Sequence, residues 1–210
     1  MSINNEPRPK KLRRRDGRTS LHWSSRNGRI SVLRYLLLQR PLPDVNVQTG
    51  DGTTPIHLAA YGGHVDAVRL LVHAGADISM KNAWECHVGH WAAMAVVQDD
   101  GHGVLSSSSI VDVCQFLALH GVKFHVPQKQ GHTCAHKAAG AVNIQVLQWM
   151  AAKADEGGAG LSEEERSEAG APDKGGNRPS DILEAVAAGD DEKGGVVCKI
   201  VQWMREEMGW

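Results

Sequence analysis

Histidine and cysteine are the side chains of this sequence best suited to chemistry. There are 11 histidines and 4 cysteines, and they crowd in two places: Cys86, His87 and His90, then His132, Cys134 and His136. Imidazole nitrogen and thiolate sulfur are the donors that zinc prefers, and a zinc site must bring them within ~2.0–2.3 Å of one ion. Cys86, His87 and His132 form the set whose side chains could reach a common ion. The second chemistry is nucleophilic. Cys134, flanked by two imidazoles near a helix start, has the neighbours that stabilise a thiolate and accept its proton. Neither chemistry comes with the rest of an active site. The sequence holds no phosphate-binding glycine loop, no dinucleotide-binding glycine pattern and no paired-carboxylate motif. It also implies no oxyanion hole and no enclosed pocket. The expectation is therefore that the chain is not an enzyme, needs no cofactor and has no small-molecule substrate, with a metal- or thiol-dependent site at Cys86/His87/His132 or Cys134 as the minor alternative.

What positions these residues is a repeat. His22, His57, His90 and His136 mark one column, and His57-Leu-Ala-Ala60 matches His90-Trp-Ala-Ala93 at an offset of 33 residues. A fixed offset means a stack of similar units rather than one closed globule. Each unit reads as two helices. Thr19 and Thr54 suit the N-cap, and Pro55 suits the first helical turn, where its missing N–H would be unpaired anyway. Gly75 lies just past a helix end, where a left-handed residue is wanted. The predicted units are 16–48, 49–81, 82–127 with an insertion at 97–109, and 128–152. An acidic, Gly-rich insertion follows at 153–176, then a degenerate unit at 177–208 with Asp181 in the histidine column. The second helix of the third unit is expected over 110–120. Ser162 and Glu165 have capping-box spacing, but the composition around them favours a solvated loop.

The small pairs Ala59-Ala60, Ala92-Ala93 and Ala138-Ala139, with Ser24-Ser25 in the first unit, let first helices approach to ~8–10 Å. Tyr35, Leu70, Phe116, Trp149 and Trp203 line up in the second helices and are expected to fill the core behind.

Thr54-Pro-Ile-His-Leu-Ala59, with looser copies at Thr19-Ser-Leu-His-Trp-Ser24 and Thr133-Cys-Ala-His-Lys-Ala138, resembles the signature of the ankyrin-repeat family. His87-Val-Gly-His-Trp-Ala92 has lost the Thr and Pro. The resemblance covers about 16–208 apart from the insertions. It implies an all-α ankyrin solenoid: stacked helix–turn–helix repeats joined by hairpin-like finger loops. It also implies that the four column histidines tie adjacent turns by hydrogen bonds, and that the chain binds another protein through its fingers and the concave face of its first helices. The motif of acyl-transferring ankyrin proteins, Asp-His-His-Cys, is not in this sequence.

Tyr, Trp, Met and Arg are enriched in protein-binding hot spots. Tyr61, Trp84 and Met94 are thus candidate partner contacts, with Trp23, Trp91, Arg26 and Lys81 beside them and Gln48 and Asp51 on the rim. For Trp23 and Trp91 the competing reading is packing over Leu58.

Residues 1–15 read as a disordered basic arm carrying Lys10, Lys11, Arg13, Arg14 and Arg15. Such a run suits nuclear import, nucleic-acid contact or a phosphoinositide-binding tail, or a solvated leader. The net charge of -1 gives no global pull toward nucleic acid or anionic membranes. No apolar run approaches the ~20 residues that cross a bilayer, and the N-terminus lacks a secretory core. Scattered thiols without a CxxC pair read as reduced. The expected location is cytoplasmic, or nuclear where the arm serves as an import signal.

Overall fold

The computed structural model describes residues 16–95, 107–188 and 194–210. Among them every regular element is helical, with no strand. The first helices are α1 (Ser20–Arg26), α3 (Pro55–Tyr61), α5 (Val88–Ala93), α7 (Cys134–Gly140) and α10 (Pro179–Ala187). Their partners are α2 (Ile30–Leu37), α4 (Val65–His73), α6 (Ser107–Leu119), α8 (Ile144–Ala151) and α11 (Gly194–Glu207). An added helix, α9 (Glu163–Ala169), lies between α8 and α10. First helices pack in sequence, α1 on α3, α3 on α5, α5 on α7 and α7 on α10, while α2, α4, α6 and α8 form a second row behind them.

These helices are short, six to nine residues in most units, and a helix of that length is not stable alone. They persist because neighbours bury a shared core. Both residues of each alanine pair are buried, as are Ser24 and Ser25. The two serines satisfy their hydroxyls within their own helix: Ser24 Oγ donates to the Ser20 carbonyl at 2.8 Å and Ser25 Oγ to the Leu21 carbonyl at 2.7 Å.

In most units the second-row core lies one position from the expected column, and in the first it is Leu33, two positions before Tyr35. The buried residues include Leu33, Val68, Leu71, Cys114, Leu117, Leu147, Met150, Val201 and Met204. Tyr35 is 65% exposed, and Leu70, Phe116 and Trp203 are half-buried. At 3.6 residues per turn, a step of one residue rotates a side chain by about 100°, enough to carry it from the core to its margin. Trp149 alone of the expected set is buried, edge-on to Phe124 at 5.0 Å between ring centroids.

Helix enters both of the segments expected as loops. The helix of the third unit starts at Ser107, inside the expected 97–109 insertion. In the 153–176 segment the Ser162–Glu165 capping box closes, with Glu165 N–H to Ser162 Oγ at 3.2 Å and Ser162 N–H to Glu165 Oε2 at 3.0 Å. α9 holds because it is docked. Ala169 is buried, its carbonyl accepts from Thr133 Oγ1 at 2.6 Å, and the Arg166 carbonyl accepts from the buried Trp210 indole at 2.8 Å. Trp210 lies so close to Gly170 that a Cβ there would sit 1.9 Å from its ring.

Candidate functional site

The histidine column is a repeated cap. In α1, α3 and α7 the N-cap threonine (Thr19, Thr54, Thr133) gives its N–H to Nδ1 of the histidine three residues on, each at 3.2 Å. The threonine hydroxyls meet the same nitrogens at 3.0, 2.7 and 2.9 Å. With Nδ1 accepting, the ring proton sits on Nε2. That proton is donated across the repeat boundary: His22 to the Thr53 carbonyl, His90 to the His132 carbonyl and His136 to the Asn177 carbonyl, each at 3.1 Å. His57 Nε2 has no close hydrogen bond, although the Met80 and Cys86 carbonyls act on it. In α10 Asp181 takes the histidine's place and accepts the Arg178 N–H at 2.8 Å. Burial drives the column toward the neutral imidazole, lowering the pKa of His22 and His136 and bringing His57 to about 4.

The fingers follow from the same boundaries. Each is a tight turn closed by paired backbone bonds, such as Thr49 N–H to the Thr53 carbonyl at 2.9 Å and Asn82 N–H to the Cys86 carbonyl at 3.1 Å. Successive tips are joined in one ladder: Gly50 to Asp16, Ala83 to Asp51, Lys129 to Trp84 and Lys174 to Gln130, at 2.8–3.2 Å. The turns need a left-handed residue, which Gly17, Gly52, Gly131 and Gly176 supply; in the third finger Glu85 takes it with φ 60°.

The aromatic candidates fall in two groups. The Arg26 guanidinium stacks over Tyr61 at 4.6 Å, and Tyr61 meets Trp91 edge-on at 5.8 Å, so these three form a line across α1, α3 and α5. Trp91 also packs edge-on to His57 at 5.9 Å. Trp23 carries Arg18 over its ring at 5.2 Å. Arg18, Trp23, Arg26, Tyr61 and Trp91, with Met94 at the C-cap of α5, are half-buried, whereas His57 is fully buried. Trp84 stands apart at the tip of the third finger, 50% exposed, with exposed Lys81 on the same finger. Gln48 is exposed and Asp51 half-buried on the second finger. The basic-arm residues Lys10 to Arg15 lie outside the described residues.

The expected metal set does not form. His132 is turned away to Asp173, Nε2 to Oδ2 at 2.9 Å. His87, His90 and Cys134 converge instead, their ligand atoms all within 4.8 Å of one another. The expected thiol nucleophile fares no better. Cys134 is fully buried, and burial raises its pKa rather than lowering it.

Stacked helical hairpins, projecting fingers and a capping imidazole at each boundary define a repeat solenoid. Residues 2–82 match the family described as ankyrin repeats, in three copies, so this stretch of the chain carries ankyrin repeats. Similar proteins include ankyrin repeat domain-containing protein 29 of Homo sapiens, 44% identical over 59 residues, which are 28% of this chain and 19% of that protein. Ankyrin repeat domain-containing protein 49 of Bos taurus is 41% identical over 58 residues, 28% of this chain and 24% of that one. Palmitoyltransferase AKR1 of Lachancea kluyveri is 46% identical over 66 residues, 31% of this chain and 9% of the enzyme, in its ankyrin region. The match thus spans less than a quarter of the length of each of these relatives. Ankyrin repeats are in general protein-binding, non-catalytic modules. Among the described residues no helix is long and apolar enough to cross a membrane.

Proposed function

We propose that this chain is a non-catalytic adaptor that captures a partner protein between its fingers and the exposed side of its first helices. The observation that carries this reading is the Arg26–Tyr61–Trp91 line ending beside Met94, with Trp84 standing free on the adjoining finger. Arg and aromatic side chains held rigid by one another lose little entropy on binding. Lys81, Gln48 and Asp51 supply the polar rim, and Trp23, with Arg18 over its ring, adds a second aromatic on α1. An interface of ~1,200–2,000 Å² is typical of specific complexes, and a stack of five helical pairs has room for it.

The test is affinity purification with mass spectrometry, comparing the native chain with a Trp84→Ala/Met94→Ala double variant. The expected outcome is loss of specific partners at unchanged helical content and melting temperature. If binding and fold fall together, these residues belong to the core and the reading fails.

A further inference from the structure

We propose that His87, His90 and Cys134 form a buried structural site for one zinc ion that clamps α5 to α7. The site arises where two neighbouring repeats depart together from their own pattern. In α1, α3 and α7 a threonine caps the helix and satisfies the histidine three residues on. In α5 the cap is His87, and His90 Nδ1 is left buried with no hydrogen-bond partner. His87 Nε2 is equally buried and unpartnered. Cys134 occupies the first position of α7, where α3 has Pro55, and faces this pair. Gly89 completes the arrangement: its backbone N–H holds His87 Nδ1 at 3.0 Å, and a Cβ there would lie 2.8 Å from the imidazole, so the glycine lets the ring fold inward.

Two unpartnered imidazole nitrogens and a thiol, in side chains 7% exposed or less, are an expensive thing to bury. A borderline ion bound by N and S donors removes that cost. His90 is already set up for it: its Nε2–H donates to the His132 carbonyl, the outer-shell contact that orients a metal-bound imidazole. Binding at His87 Nε2 moves that ring's proton to Nδ1 and breaks the Gly89 bond, and the Cys134 thiol proton leaves to solvent. The three protein donors leave one tetrahedral position for a non-protein ligand, since no other described His, Cys, Asp or Glu joins the set within 4.8 Å. The site does not involve the docking surface proposed above.

Chelator-stripped protein is refolded with zinc sulfate and titrated against a chromophoric chelator, alongside His87→Thr, Cys134→Ala and Cys198→Ser. His87→Thr restores the capping box of the sister helices, so it folds whatever the site does, and circular dichroism checks this. One zinc per native chain is expected, with affinity lower by at least about 100-fold in His87→Thr and in Cys134→Ala. Cys198→Ser, which removes the exposed thiol, leaves affinity unchanged. Cobalt(II) in place of zinc gives a sulfur-to-metal charge-transfer band that Cys134→Ala weakens. No uptake by the native chain, equal uptake in His87→Thr, or loss of binding in Cys198→Ser overturns the proposal.

Discussion

Acidification should unfold this protein through its buried imidazoles, and His57 lets the effect be sized. In the unfolded chain its pKa is near 6.5, and in the fold burial brings it to about 4. Between those values the unfolded chain holds a proton that the folded chain does not, so the stability of the fold rises with pH across that window. The contribution is fully present above pH 6.5 and is lost as pH falls toward about 4. The gap of about 2.5 pH units, at about 1.36 kcal/mol per unit, makes the loss ~3 kcal/mol. That is a large share of a typical ~5–15 kcal/mol. The assay is urea unfolding at several pH values from 7.5 to 4, on the native chain and on His57→Gln. The variant is less stable at neutral pH but lacks this titration. His22, lowered in the same direction, contributes to both proteins and cancels in the comparison. The two stability curves should converge by ~3 kcal/mol as pH falls. Parallel curves would mean that His57 titrates alike in both states, and the argument from burial would be wrong.

Thr54→Ala removes a fully buried cap and is expected to cost ~1–2 kcal/mol in chemical denaturation, whereas Thr19→Ala, at an exposed cap with the same bonds, costs ~0.5–1 kcal/mol; equal losses would show that burial of the cap is irrelevant. Glu85→Gly relieves a left-handed non-glycine residue that is exposed and should raise stability by about 1 kcal/mol, read as an increase in melting temperature; a decrease would mean that Glu85 makes contacts that outweigh its backbone strain. Trp210→Ala empties a fully buried ring site and is expected to cost ~3–5 kcal/mol, with hydrogen exchange rising first in α9; no change in α9 would refute the docking of that helix by the indole.

The repeat was legible because its marks are local. A Thr-Pro start, a histidine three residues after the cap and a small pair behind it depend on residues within one turn, and they point to α3 and α7 directly. The second-row core was less legible. Large apolar residues occur at neighbouring positions of each second helix, Leu70 beside Leu71 and Phe116 beside Leu117, and size alone chose the wrong one. Tyr35 shows why: a bulky ring at the margin leaves the same mark in the sequence as one inside. α9 was hidden for a different reason. Its capping box is visible, but what holds it is Trp210, far along the chain. The convergence of His87, His90 and Cys134 was missed because nearness in sequence drew attention to Cys86 and His132. A signal was present: with the repeats laid over one another, His87 stands at the cap, His90 at the third helical position, on the same face, and Cys134 at the first position of the next helix. The Arg26–Tyr61–Trp91 line was partly legible. The residue types and their place after the small pairs were plain, whereas the mutual stacking that half-buries them was not.

A linear stack ordinarily frays from its ends, since an outermost unit touches a single neighbour. The indole of Trp210 adds a second attachment for the hairpin of α10 and α11. By bonding to the Arg166 carbonyl and closing over Gly170, it ties α11 to α9 and, through Thr133, to α7. Peeling away the last hairpin therefore has to break a loop that spans several units. The expected consequence is that the hairpin of α10 and α11 resists peeling from α7 more than a hairpin held by a single neighbour would, with the indole acting as its buttress.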